Sequence, residues 1–174
     1  MANEMNQMML QLILIGVLIS AAIFDMRGSR IPNWLTLSAS LCGLLGHVFI
    51  DGLDGMFFSL KGLLLGTGLF MVIHLIGGMG AGDVKLMGAV GALLGPTELL
   101  AAALITALLG GVWAVAVIVS HWGAGGAWNW ITGRIVMVGI TGRLPDGMAG
   151  GQGLALRYAP VIAVGTLLSQ LIWP

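Results

Sequence analysis

Residues 6–24 read NQMMLQLILIGVLISAAIF, a run without an ionisable side chain. A helix needs ~20 such residues to cross a bilayer core of about 30 Å, so this segment alone reads as a membrane span. The rest of the chain repeats the pattern. Of its 174 residues, 58% are apolar and only 8% charged, with a mean hydropathy of +1.03. Soluble domains run near about a quarter charged, and too few ionisable side chains exist here to coat a water-exposed globule. The expected class is all-α: a polytopic membrane protein of about six transmembrane helices, forming a single transmembrane domain over residues 1–174.

Apolar runs bounded by charge, Pro or Gly place spans near 6–24, 34–50, 57–76, 84–95, 97–120 and 157–173. The fourth reaches only ~18 Å, so it must stop partway, tilt against neighbours or extend through its Gly-rich flanks. Gly95-Pro96-Thr97-Glu98 ends it and begins the fifth, with Pro in the first turn and an acid at the positive end of the helix dipole. Gly62-x-x-x-Gly66 and Gly91-x-x-x-Gly95 are spacings that let helix backbones approach closely in lipid, and both read as packing features. The segment before the first span carries Glu4 and no Lys or Arg, the wrong flank for a cleaved signal, so that span is expected to be retained.

Charge orients the bundle. Arg27, Arg30, Lys85, Arg134, Arg143 and Arg157 fall in loops on one side; Lys61 lies on the other, with Glu4, Asp51, Asp54 and Glu98. By the positive-inside rule the loops 25–33, 77–85 and 121–156 face the cytoplasm and both termini lie outside. The last loop holds ten Gly, Trp122, Trp128, Trp130 and an apolar patch at 135–140, a mixture expected at headgroup depth. The lipid bilayer is the partner this composition demands. Seven basic against seven acidic residues leave no basic stripe, so nucleic acid is not an expected partner. Cys42 alone builds no disulfide, Cys-based zinc site or CxxC pair. His47 falls near the outer face while His74 and His121 approach the inner one, so neither a three-His metal site nor a cofactor is expected. No GxSxG or HExxH string occurs.

Two acids stand out by position. Asp25 closes the first span at the negative end of its dipole, a placement unfavourable by up to ~1 kcal/mol unless something else requires it. A loop acid balanced by Arg27 and Arg30 is the plainer reading. Asp83 follows Gly77-Gly78-Met79-Gly80-Ala81-Gly82, a backbone free to adopt positive φ, and it equally suits a helix N-cap. Both acids are expected at the same membrane face. Two carboxyls within a few ångström cannot both ionise cheaply, so such a pair holds one proton between them, as in aspartic proteases. A proton relay in a small transporter or channel is the competing chemistry, but no span carries a central acid.

Asp25 with Arg30-Ile31-Pro32-Asn33-Trp34-Leu35-Thr36, followed by Gly80-Ala81-Gly82-Asp83-Val84-Lys85, resembles the type IV prepilin peptidases, membrane aspartic proteases with a GxGD signature. The span pattern extends the likeness over nearly the whole chain, and Tyr158-Ala159-Pro160 opening the last run is similar. The resemblance implies that Asp25 and Asp83 are the catalytic pair and that the substrate is a prepilin or pseudopilin. It also implies an enzyme of the inner membrane whose site faces the cytoplasm. Larger members of that family carry a cytoplasmic region with paired cysteines and also N-methylate the new terminus. The length and lone Cys42 here resemble the short, peptidase-only branch that serves Flp-type pilins. The archaeal preflagellin peptidases share the Asp pair and are similar on these motifs.

Overall fold

The computed structural model describes residues 2–28, 31–75, 79–141 and 158–172. These form five helices: α1 Ala2–Gly28, α2 Asn33–Leu75, α3 Ala81–Leu94, α4 Pro96–Thr141 and α5 Ala159–Ile172. Among the described residues there is no strand, as expected of the all-α class.

α2 is two arms. Asp51 (φ −128°, ψ 16°) and Gly52 (φ 62°, ψ −132°) leave helical geometry between them. The chain folds back there, since the rings of His47 and Phe58 stand 5.2 Å apart, whereas eleven residues of straight helix would separate them by about 16 Å. The arms 33–50 and 53–75 coincide with the second and third expected spans. Glu4–Gly28, α2 and Pro96–Val117 are long and apolar enough to cross a bilayer. α3 and α5, 14 residues each, reach only about 21 Å. Helical stretches therefore stand where the six spans were expected, but two of them are too short to cross alone.

Burial makes the short α3 tenable. Every residue from Leu86 to Gly95 is buried, against both arms of α2 and against α4, α1 and α5. A helix end inside the slab must find polar partners in the protein, because lipid offers none. The last carbonyls of α3 have them. Ser59 Oγ donates to Ala92 O at 2.7 Å, His47 Nε2 donates to Leu93 O at 3.0 Å, and Gly95 N donates to Gly91 O at 2.8 Å. Gly95 has φ 81°, and a Cβ there would strike the Phe58 ring before the chain turns into Pro96 of α4.

Gly62 and Gly91 face one another so closely that a Cβ on either would collide with the other's carbonyl, while Gly66 stands against Met87 O. The two GxxxG spacings are opposite sides of one seam between α2 and α3, in line with their packing reading. Apolar helices gain little from hydrophobic burial against lipid, so close backbone contact is the source of their attraction.

The long loop expected at 121–156 is corrected. Residues 121–141 continue α4 past a break at Gly123 (φ 68°, ψ 168°). Helix satisfies its own backbone groups at any depth, and no Pro interrupts the chain between Pro96 and Pro145. Arg143, Asp146 and Arg157 lie outside the described residues, as do the side chains of His121, Trp122, Trp128 and Trp130.

Candidate active site

Asp25 lies in the last turn of α1 and is only 7% exposed, while Arg27 points out to the surface. Its burial departs from a solvated loop acid. Its Oδ2 accepts the backbone N–H of Ala159 at 3.3 Å. Ala159 is the first residue of α5, where amides have no intrahelical acceptor and the dipole is positive. Pro160 beside it has no N–H to offer.

Asp83 is the third residue of α3 and is 6% exposed. Gly80 is the N-cap, so Asp83 does not occupy the capping position that the sequence allowed. It reaches back instead. The Gly80 amide hydrogen-bonds its carboxylate, and a Cβ on Gly80 would come within 3.1 Å of Asp83 Oδ2. This is the N3-to-N-cap half of a capping box, which here leaves the acid buried rather than solvated.

Residues 31–33 run along the first turn of α3. A Cβ on Gly82 would meet Ile31 at 3.4 Å, and Lys85 Nζ donates to Asn33 Oδ1 at 2.9 Å. The two motif strings are thereby tied together, one just beyond Asp25 and the other around Asp83. His74 Nδ1 donates to Met79 O at 2.8 Å, so the imidazole holds the backbone that leads into the Gly80 turn. In the sequence His74 stood out only by its place towards the inner face.

Asp83 directly precedes the apolar run at 84–95. Its carboxyl is pushed up to about 7, by burial first and by the charge of Asp25 second, against the opposing pull of the Gly80 amide. Tyr158, half-buried, also feels the charge of Asp83. One end of α1, α3 and α5 thus converges on two acids. The Ala159 amide and the nearness of Tyr158 were not legible beforehand; the only trace of them was Tyr-Ala-Pro opening the last apolar run.

Other candidates lie elsewhere. His47 caps the far end of α3, Asp51 and Asp54 are exposed at the turn of α2, and Glu98 is exposed and accepts from Gln170 Nε2 at 3.0 Å. Among the described residues no three of His, Cys, Asp and Glu are grouped to hold a metal ion.

The profile of the type IV leader peptidase family matches residues 12–115, a range that contains both acids. The prepilin leader peptidase/N-methyltransferase of Bacillus subtilis (strain 168) is 30% identical over 161 residues, 91% of this chain and 54% of that protein. The chain therefore spans about half the length of the curated relative it matches. No solved structure matches it. The profile match covers well over half of the chain and includes both strings that bracket the buried acids, so the chain belongs to the type IV leader peptidase family.

Proposed function

We propose that this chain is a membrane aspartic endopeptidase that removes the leader peptide of type IV prepilins or pseudopilins, with Asp25 and Asp83 as its catalytic dyad. The observation that carries the reading is the pair itself. Two buried carboxyls from different helices, near enough for one to raise the other, occur in a chain of the leader peptidase family.

Their surroundings suggest a division of labour. The amide at the positive end of α5 is a fitting partner for a carboxylate, so Asp25 carries the charge and Asp83 the proton. Asp25 takes a proton from the attacking water while Asp83 gives its own to the carbonyl oxygen of the scissile bond. The tetrahedral diol then collapses, one hydroxyl proton returning to Asp83 as Asp25 protonates the departing amine. Both acids recover their starting states without a covalent intermediate. Two carboxyls sharing one proton supply both the base and the acid that amide hydrolysis needs.

A precursor with a basic leader in the cytoplasm and an apolar stem in the bilayer presents its scissile bond at the membrane edge. Helical peptide bonds must unwind before hydrolysis, and this costs less at the boundary than at the midplane. The excess of Lys and Arg on the dyad's side supports a site facing the cytoplasm from the inner membrane. Nothing favours the relay reading, since every acid among the described residues lies near an end of a helical stretch.

The test is to express Asp25→Asn and Asp83→Asn separately with a prepilin and follow leader removal by gel shift. Loss of general acid or base catalysis should slow processing by about 10²–10⁴-fold. Wild-type processing by either folded variant would falsify the dyad.

A further inference from the structure

A groove of about 370 Å³ lies between the two arms of α2 and α3. It faces away from the dyad. Successive helical residues are set about 100° apart, so Asp83 and Lys85 point to nearly opposite sides of α3, and neither Asp25 nor Asp83 lines the groove. Its mouth is formed by Lys85 and Asn33, both exposed and joined by their 2.9 Å hydrogen bond. Lys85 retains two further N–H donors and Asn33 its side-chain NH₂, so the mouth offers donors and a positive charge.

Below the mouth the groove is dry in character. Thr36 and Ser40 line it, but their hydroxyls are spent on their own helix, donating to Asn33 O at 3.1 Å and Thr36 O at 2.8 Å. Leu37 and Leu63 supply apolar wall. Ser40 is about 10 Å from Asn33 along the helix axis. The lining thus sets a cation and an amide at the mouth above leucines interspersed with Thr36, Ser40 and Thr67, a mixture that suits the phosphate and the first acyl carbons of a phospholipid.

We propose that this groove binds an anionic phospholipid, its phosphate held by Lys85 and Asn33 and one acyl chain lying between Leu37 and Leu63. Charge complementarity favours that occupant. Lys85 is the one charged side chain among the lining residues, and it repels the ammonium of a zwitterionic headgroup. A substrate stem lying here would be on the wrong side of α3 from both acids. The site does not depend on the proteolytic reading and survives its failure.

The experiment places the full chain in phosphatidylcholine nanodiscs with a minor fraction of phosphatidylglycerol bearing a diazirine near the start of one acyl chain. After irradiation, labelled peptides are mapped by mass spectrometry. Labelling should concentrate on 33–40 and 63–67, fall about fivefold in Lys85→Met, as expected for loss of one cation at the headgroups, and persist in Lys85→Arg. Leu37→Trp, which fills the groove without altering charge, should also reduce it. Monodisperse elution of each variant reports that it is folded. Even labelling of all lipid-facing helices, or undiminished labelling in Lys85→Met, overturns the proposal. So does displacement by glycerol phosphate, which would reassign the mouth to a free phosphate, or by a prepilin segment.

Discussion

Ala159 N donates to Asp25 Oδ2 at 3.3 Å, joining the first helix of the chain to the last across 134 residues of sequence. That bond places the positive end of α5 on one acid and, in the proposed mechanism, leaves the other to carry the proton. Proline is tolerated at the first helical position, so Ala159→Pro removes the donor at little cost to the helix. A hydrogen bond to a charged group contributes about 1.5–3 kcal/mol, and kcat/KM for leader removal should fall about 10–100-fold. Ala159 is fully buried, so Ala159→Ser serves as the control, adding bulk but keeping the amide. Equal losses in the two variants would show that crowding, rather than the bond, matters.

Asp83 makes both activity and stability depend on pH. With its carboxyl pushed up to about 7 from the ordinary 3.8, the folded state binds more protons than the unfolded between those values. Its contribution to stability is fully present below the ordinary value and is lost as pH rises through about 7. Asp83→Asn, which carries no charge at any pH, should therefore gain resistance to unfolding relative to wild type at pH 8 and lose that advantage at pH 4. If protonated Asp83 is the acid, kcat/KM of the wild type declines as pH rises through the same region. A flat profile from pH 6 to 8, with substrate ionisation controlled, would contradict the assignment.

The seam between α2 and α3 separates two kinds of glycine. Gly62→Ala sets a Cβ against the Gly91 carbonyl, with backbone on both sides and no flexible side chain to give way. Overpacking of this kind costs about 1–3 kcal/mol or more. Gly68 is on the same arm, and a methyl group there would meet nothing within 4 Å, so Gly68→Ala should be neutral or stabilising by up to ~1 kcal/mol. Thermal melting of both in one detergent checks the contrast; similar melting points would mean that the seam is slacker than its geometry implies.

Particular signals explain what could be read from the chain beforehand. The helical stretches were legible because a long apolar run has few other uses, Asp25 because an acid at the negative end of a helix is costly, and Asp83 because it follows a Gly-rich string before an apolar run. The partner of a GxxxG string was not legible: small spacing announces close approach, but only the hairpin at Asp51-Gly52 brings Gly62 to Gly91. α4 beyond Gly123 was read as a loop because Gly and Trp suit a headgroup-level loop and a helix alike. The donor to Asp25 is a backbone amide, which leaves no side-chain signature, and a lone His47 in an apolar run does not reveal which carbonyl it meets.

The capped end of α3 isolates stability from catalysis. Ser59 is fully buried and its hydroxyl meets Ala92 O, one of the carbonyls that helix geometry leaves without a partner. Ser59→Ala keeps the shape of the site and orphans that carbonyl away from water, a loss of about 1–3 kcal/mol. Asp83 lies about 14 Å back along the same helix, so kcat/KM of the folded fraction should stay near wild type while the melting temperature falls. His47→Phe should behave alike through Leu93 O. Because Ser59 and His47 serve adjacent carbonyls from opposite arms of α2, fraying caused by one loss already frees the other's partner, and the double variant should lose less than the sum. Strict additivity in a melting series would indicate that each carbonyl is held independently and that the end of α3 does not fray as a unit.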